Sequence, residues 1–180
     1  MKHIILTVLF LCGFLIVSNA QTEYPTKNDE YIFWQPNTEI NFSDYQAAID
    51  SSAIRLHEKY GMQLISTIKL MSVIDIPKKK RQRGAKTEIV YFAPAFCKKC
   101  SSIFSKDGVD LKYDRLFFDI AELCARQARI ELDAALNEIY AYGTLSIMYM
   151  TVKSRWEERM HEMFGAFGNE VIVEKKRKRI

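Results

Sequence analysis

The lack of proline after residue 94 is the feature that most constrains the fold of this chain. No proline follows Pro94, and from about Asp110 onward only glycine could interrupt a helix. The sequence therefore predicts two long helices that bend near Gly143, the second of them over about residues 145–164.

The first of these helices has an apolar stripe and a charged side opposite it. At 100° per residue, one narrow arc collects Phe117, Ala121, Cys124, Ala128, Leu132, Ala135 and Ile139, with Tyr113 at its edge. The opposite side carries i, i+4 pairs, which are Arg115 with Asp119, Glu122 with Arg126, and Arg129 with Asp133. Because such pairs contribute only about 0.2–0.5 kcal/mol each, the pattern favours a solvated charged face.

The first half of the chain alternates between strand and helix patterns. Aromatic and β-branched residues over 31–34 predict a short strand that Pro36 stops. A helix is expected to open at Asn41 or Ser43, since Ser43 and Gln46 have capping-box spacing, and to end at Gly61.

A basic segment over residues 77–84, with turn residues at both ends, separates two β-rich stretches, 62–76 and 87–92. This arrangement predicts a hairpin with a basic tip. The expected fold class is α+β: a small antiparallel sheet from residues near 31–35, 62–76 and 87–93, packed against one helix before it and two long ones after it. Trp34, Trp156 and the Phe117 stripe should help to fill the core.

The amino terminus has the parts of an export signal. Lys2 and His3 precede an unbroken apolar run over 4–17, and Ala20 ends a cleavage-site pattern. The run is about 14 residues long, short of the roughly 20 that a transmembrane helix needs, and no other stretch could cross a bilayer. The sequence predicts a signal peptide over 1–20, one domain over 21–170, a basic tail over 171–180, and a periplasmic or secreted location.

Export changes the interpretation of the cysteines, because exported thiols meet an oxidising compartment. Cys97, Cys100 and Cys124 remain after residue 20, and the first two are expected to form a local disulfide. The run leading into Cys97 resembles a thioredoxin active-site segment, in which Cys97 would be the attacking thiolate. A thioredoxin fold also needs further strands and a cis-proline facing the cysteines, so redox catalysis is the weaker interpretation. A zinc site at this pair would need two more ligands, of which Cys124 could supply one.

Residues 118–126 carry a resemblance to a known family. They are similar to the segment after the zinc-binding H-E-x-x-H in secreted bacterial proteins of unassigned function, predicted to be zinc-dependent proteases, whose motif reads roughly H-E-Q-x-H-F-D-I-x-E-x-x-A-R. The matches include Asp119, Glu122 and Arg126. Trp34, Ile40, Phe42, Asp44 and Tyr45 also resemble that family's opening W-x-x-x-x-x-L-x-W-x-D-F. The resemblance implies a remnant of a zincin-like fold.

The metal-binding positions of that motif hold other residues in this chain. Tyr113 and Phe117 stand where the family has its two histidines, and Asp114 stands where it has the catalytic glutamate. A zinc site of this type needs two imidazole nitrogens four residues apart, and a phenyl ring offers no lone pair. Without a metal to lower the pKa of water, Asp114 has no hydroxide to help form. We therefore expect no catalytic residues and no cofactor.

Two histidines remain outside the predicted signal, and each has an ordinary structural interpretation. His57 lies near the end of the first helix, where a partial positive charge suits the helix dipole. His161 has no second histidine four residues later. Neither is predicted to be a metal ligand.

Basic clusters over 78–83 and 175–179 resemble nucleic-acid patches when read as strings. The first contains Lys78, Lys79, Lys80, Arg81 and Arg83. Export and the lack of interleaved aromatic residues argue against nucleic acid, so anionic surfaces such as phospholipid headgroups or acidic cell-wall polymers are the better candidates. A merely soluble hairpin tip and tail is the alternative. The whole chain has 26 basic and 22 acidic residues, a balance too mild to define a function.

The function that the sequence favours is an exported, non-catalytic relative of a secreted zinc peptidase, acting as a binding or structural domain. Two alternatives stay open. One is a metallopeptidase with rearranged ligands, and the other is a thiol-disulfide protein that uses Cys97 and Cys100.

Overall fold

The computed structural model describes residues 27–75, 79, 81, 89–107, 109, 111–138 and 144–177. The predicted signal peptide and the predicted bend near Gly143 lie outside these residues. The elements in chain order are β1 Tyr31–Phe33, a 3-10 turn Phe42–Asp44, α1 Ser51–Tyr60, β2 Leu64–Ile65, β3 Ile68–Asp75, β4 Ile89–Cys97, a 3-10 turn Lys98–Cys100, β5 Ser102–Ile103, α2 Lys112–Glu138 and α3 Thr144–Arg177.

Three strands form an antiparallel sheet in the order β1-β4-β3. β3 and β4 pair from Ile68 opposite Phe96 to Asp75 opposite Ile89, which confirms the predicted hairpin. β1 pairs with the carboxyl end of β4, and β2 pairs with β5 in a separate two-stranded ladder. The predicted α+β class with a small antiparallel sheet is confirmed.

The stretch predicted as one strand over 62–76 divides into β2 and β3. At the division, the Thr67 amide donates to Ser101 Oγ at 2.9 Å and the Thr67 hydroxyl donates to the carbonyl of Cys100 at 2.9 Å. These bonds turn the backbone toward the segment after β4. β5, which is too short to show an alternating pattern, pairs with β2 there.

Strand alternation directs one face of the sheet toward the helices. Phe92 and Phe96 of β4 and Leu70 of β3 are fully buried, and they pack against Phe118 and Leu132 of α2. Each such side chain contributes about 1.5–3 kcal/mol on burial, so this contact dominates the core. Trp34 and Trp156 are partly buried and pack against it, as expected.

α2 is covered on two faces, one by the sheet and one by α3, and this corrects the predicted stripe. Ala121, Cys124, Ala128 and Leu132 are buried as predicted. Phe117 and Ala135 are partly buried, and Ile139 lies outside the described residues. The buried set also includes Asp114, Phe118, Glu122 and Ala125. The prediction of a fully solvated charged side was therefore wrong at Glu122.

The first helix begins later than its sequence pattern predicts. The backbone amides of Gln46 and Ala47 donate to the carbonyls of Lys98 and Ser101 at 3.0 and 2.9 Å, so tertiary bonds hold this stretch out of a helix. α1 starts after Asp50, whose carboxylate accepts from the Ala53 amide at 2.7 Å. Its end at Gly61 is as predicted.

α3 continues beyond the predicted end near residue 164. Gly165 and Gly168 lie inside the helix, which reaches Arg177 and so includes part of the predicted tail. A helical glycine costs about 1 kcal/mol relative to alanine, too little to end a helix of this length. Within the described part of the chain, no helix is both long enough and apolar enough to cross a membrane.

Candidate functional site

Tyr113, Asp114 and Phe117 lie in the first two turns of α2, and Phe117 packs against α3. The Phe117 ring makes edge-on contacts with Phe164 and Phe167, with centroids 5.2 and 5.0 Å apart. Tyr113, one turn earlier, lies beside the Lys112 ammonium, 5.1 Å from its ring centroid. The two positions at which the family has histidine thus carry aromatic rings in an aromatic and cationic setting.

Asp114 is buried, with 4% of its surface exposed, and belongs to a hydrogen-bonded group with Ser66 and Tyr45. The Ser66 hydroxyl donates to Asp114 Oδ1, and the Tyr45 hydroxyl lies 3.0 Å from Ser66 Oγ. Burial, followed by the charge of Asp114, raises the pKa of the Tyr45 phenol. The Asp114 carboxylate therefore accepts a hydrogen bond from a neutral hydroxyl that also contacts the Tyr45 phenol.

These side chains do not fit a zinc ion. Phe117 has no donor atom and its ring is engaged by two others, while Asp114 is bonded to Ser66. In the residues that the structure describes, no three His, Cys, Asp or Glu side chains lie close enough together to share a metal.

The described histidines, His57 and His161, contact different residues. His57 Nδ1 is 2.7 Å from the carbonyl oxygen of Met62, and its ring stacks on Phe104 with centroids 4.4 Å apart. His161 is exposed and contacts the Phe164 ring edge-on. His57 thus makes a hydrogen bond and a stacking contact, and His161 makes a ring contact.

The retained motif residues form a polar cluster around Trp34. The indole Nε1 donates to Asp119 Oδ1 at 2.7 Å, and the same oxygen lies 3.1 Å from Arg115 Nε. The guanidinium groups of Arg115 and Arg126 lie 5.6 and 5.4 Å from the indole ring centroid, within cation-π range. The two sequence segments that carry the family resemblance therefore meet in space.

Glu122 is the buried member of this cluster, with 6% of its surface exposed. Its Oε1 accepts from Arg126 Nε at 2.9 Å and from Arg129 Nη2 at 2.7 Å. Arg129 also donates to the carbonyl of Phe92, and its guanidinium lies 4.6 Å from the Tyr91 ring centroid. Sequence reasoning missed this link between α2 and β4. The i, i+7 spacing of Glu122 and Arg129 was the available signal.

Cys97 and Cys100 lie at the end of β4 with their Sγ atoms 2.16 Å apart, at disulfide-bonding distance. Cys97 is fully buried and Cys100 is exposed. Lys69 Nζ lies 3.7 Å from Cys100 Sγ, whereas the Lys98 ammonium is bonded to the carbonyl of Asn28. The accessible sulfur is thus Cys100, not the Cys97 expected from the thioredoxin-like run.

Cys124 is separate from this pair. It is buried against α3, where its Sγ lies 3.7 Å from Met163 Sδ. Burial raises the pKa of its thiol, which disfavours the reactive thiolate.

The basic tip is described at two positions. Lys79 and Arg81 are exposed, and Lys78, Lys80 and Arg83 lie outside the described residues.

Comparison with protein-family models, with curated proteins and with solved structures found no match to this chain. The resemblance to secreted zinc peptidases therefore rests on the sequence motifs alone.

Proposed function

We propose that the protein is an exported, non-catalytic relative of secreted bacterial zinc peptidases that acts as a binding or structural domain. The single observation that carries this proposal is the edge-on packing of the Phe117 ring against the rings of Phe164 and Phe167. A side chain that fills the interface between two helices serves packing, and it has no atom with which to hold a metal.

The retained residues of the motif support the same proposal. Asp119 and Arg126 hold Trp34, and Glu122 pairs with Arg129 near β4. In this arrangement these residues join α2 to the segment after β1 and to β4, a structural role that needs no metal. The apolar leader and the cysteine pair at bonding distance support export to the periplasm or the exterior.

Elemental analysis of the purified protein tests the proposal. We expect substoichiometric zinc and no peptidase activity that a chelator abolishes. A control variant, Tyr113→His with Phe117→His, restores the two imidazoles and shows whether zinc binding would have been detected. Stoichiometric zinc in the wild type, lost in Asp114→Ala, would favour the metallopeptidase with rearranged ligands instead.

The partner that we propose for the binding role is an anionic surface, contacted through Lys78, Lys79, Lys80, Arg81 and Arg83. The exposure of Lys79 and Arg81 supports it. Co-sedimentation with phosphatidylglycerol vesicles should fall in Lys79→Glu/Arg81→Glu and stay unchanged in Lys59→Glu on α1. Equal binding by both variants and the wild type would exclude this surface.

A second candidate function, thiol-disulfide exchange, is favoured by the exposure of Cys100 and the nearby Lys69 ammonium. An external thiolate would attack Cys100 Sγ, the Cys97–Cys100 bond would break, and its electron pair would pass to the Cys97 sulfur. A second thiol of the same partner would then attack the mixed disulfide and release the Cys100 thiolate, which the Lys69 charge stabilises. The partner dithiol supplies both electrons and leaves as a disulfide.

Trapping of the mixed disulfide distinguishes a protein that exchanges disulfides from one in which the Cys97–Cys100 bond is purely structural. Cys97→Ser keeps the accessible sulfur as a free thiol, which should attack the disulfide form of a partner protein and accumulate the mixed disulfide, whereas Cys100→Ser should not. A wild-type bond that stays intact under mild reductant would exclude thiol-disulfide exchange.

A further inference from the structure

An apolar stripe on α2 faces away from both the sheet and α3. Leu116, Leu123 and Ile130 are seven residues apart and are 44%, 48% and 60% exposed. Ile120, Gln127 and Ala134 lie between them at the complementary spacing. Alternating intervals of three and four residues are the pattern of a helix that packs against another helix. We call this stripe the α2 seam, and it comprises Tyr113, Leu116, Ile120, Leu123, Gln127, Ile130 and Ala134.

The other two sides of α2 are already covered. Phe118, Glu122 and Ala125 lie toward the sheet, while Phe117 and Cys124 lie toward α3. The seam is about 80° around the helix from the α3 side and nearly opposite the sheet side, by helical geometry. A further helix can therefore approach the seam without displacing either.

One edge of the seam carries a charge every seventh residue, and the signs alternate. These residues are Lys112, Asp119, Arg126 and Asp133. In an antiparallel helix pair, equivalent edge positions of the two helices face each other. When Ile120 packs on Leu123 of a second copy, Asp119 faces the copy's Arg126 and Lys112 faces its Asp133.

The edge charges select this register among the neighbouring ones. A shift of one heptad in one direction sets Arg126 against the same residue of the other copy, and Asp119 against Asp133. A shift in the other direction sets Asp119 against itself and Lys112 against Arg126. Like charges facing across a seam are unfavourable, so one antiparallel register is complementary to itself.

A parallel pair would use the other edge of the seam as well. That edge carries Phe117, Cys124 and Glu131, and all three contact α3. In a parallel pair, Lys112 and Asp119 would face the uncharged side chains of Phe117 and Cys124. Arg126 would face Glu131, whose carboxylate is already bonded to Arg155 and Trp156 of α3. The edge charges therefore favour the antiparallel arrangement.

We propose that two copies of this protein associate through antiparallel packing of the α2 seam. Asp119 and Arg126 can contribute without leaving Trp34, since their side chains are 43% and 57% exposed. A seam of this length is smaller than a standard protein interface, so we expect a dimer with Kd in roughly the micromolar range.

Sedimentation equilibrium of the full chain tests the dimer. Intact-mass measurement identifies the amino terminus of the protein that is used. Leu123→Glu should weaken association at least about a hundredfold, because two buried carboxylates would face the seam. Ile54→Glu, at a residue of α1 that is 43% exposed, is the matched control and should dimerise like the wild type. Far-ultraviolet circular dichroism confirms that both variants fold. A wild type that remains monomeric about tenfold above that Kd, or a dimeric Leu123→Glu, would overturn the proposal.

Charge reversal tests the antiparallel register. Asp133→Lys and Lys112→Asp should each weaken association about tenfold, because each turns two attractive contacts into repulsive ones. The double variant should recover the wild-type Kd at low salt, and the recovery should shrink as salt screens the pairs. A double variant weaker than either single variant would exclude this register.

Discussion

The phenol of Tyr45 lies between the sheet and α2, edge-on to the Phe96 ring at 5.3 Å between centroids. Its hydroxyl lies 3.0 Å from Ser66 Oγ, and Ser66 in turn donates to the buried carboxylate of Asp114. The protonation state of the Tyr45 phenol is therefore coupled to the packing of α2 against the sheet.

Tyr45 should make the protein lose stability in alkali. Its pKa in the folded state is raised above the ordinary value of 10.0, first by burial and then by Asp114. Below pH of about 10 both states keep the proton, whereas above it the unfolded state ionises first. The free energy of unfolding should then fall by up to about 1.4 kcal/mol per pH unit. Urea titrations from about pH 9 to 11 should show a shallower fall in Tyr45→Phe than in the wild type. Identical slopes would contradict the assignment.

The two arginines that bind Glu122 should differ in their contributions to stability. The Arg129 side chain is 19% exposed and the Arg126 side chain is 57% exposed. Arg129→Met removes the closer, less hydrated partner of a buried carboxylate and should cost about 2–4 kcal/mol. Arg126→Met should cost no more than about 1 kcal/mol.

A second substitution, made at Glu122 in the Arg129→Met protein, provides the control. Glu122→Leu combined with Arg129→Met should be more stable than Arg129→Met alone, because no buried charge is then left unpaired. Thermal unfolding of the four proteins measures these differences. Equal losses for the two arginine variants would show that burial does not distinguish them.

At the scale of elements, sequence patterns correctly predicted those helices and strands whose bounds depend on hydrogen bonds between residues close in the sequence. The β3–β4 hairpin, the end of α1 at Gly61 and the existence of α2 all followed from alternation, glycine placement and helical period. The start of α1 did not, since Gln46 and Ala47 donate to residues more than fifty positions away. A single-sequence pattern carries no information about such distant acceptors.

The candidate site divides in the same way. That Phe117 offers no metal-ligating atom could be read from its residue type alone. The contact of Trp34 with Asp119 could not, and the pairing of Glu122 with Arg129 had only its i, i+7 spacing as a signal. They depend on α2 being covered on two faces, whereas a helical period predicts one.

Two glycines at helix positions should respond to alanine with opposite signs. Gly61 ends α1 with φ of 65°, where a Cβ atom is strained, so Gly61→Ala should cost about 1 kcal/mol. Gly165 lies inside α3, and a Cβ there meets no described atom within 4 Å. Gly165→Ala should therefore stabilise the protein by about 0.5–1 kcal/mol. Midpoints of urea unfolding for both variants check the signs, and two losses would contradict the helical assignment of Gly165.

For the whole molecule, stability should decrease from the β4–α2 contact outward. Phe92, Phe96 and Phe118 are fully buried at that contact. In α1, by contrast, Ala53 is the one buried residue among the ten residues of this helix. Ile54 and Tyr60 of the same helix are exposed. A helix with so little buried surface should open locally without global unfolding.

Hydrogen exchange measured by mass spectrometry should resolve this order. Peptides from α1 should exchange well before those from β4 and from the Phe118–Leu132 side of α2, since opening α1 exposes little apolar surface. Asp50→Ala removes the carboxylate that accepts from the Ala53 amide, so it should speed exchange in α1. The same substitution should leave α2 unchanged, because the opening that it promotes is local. If α1 and α2 exchanged together in both proteins, the two elements would open as one cooperative unit, and the low burial of α1 would not govern its stability.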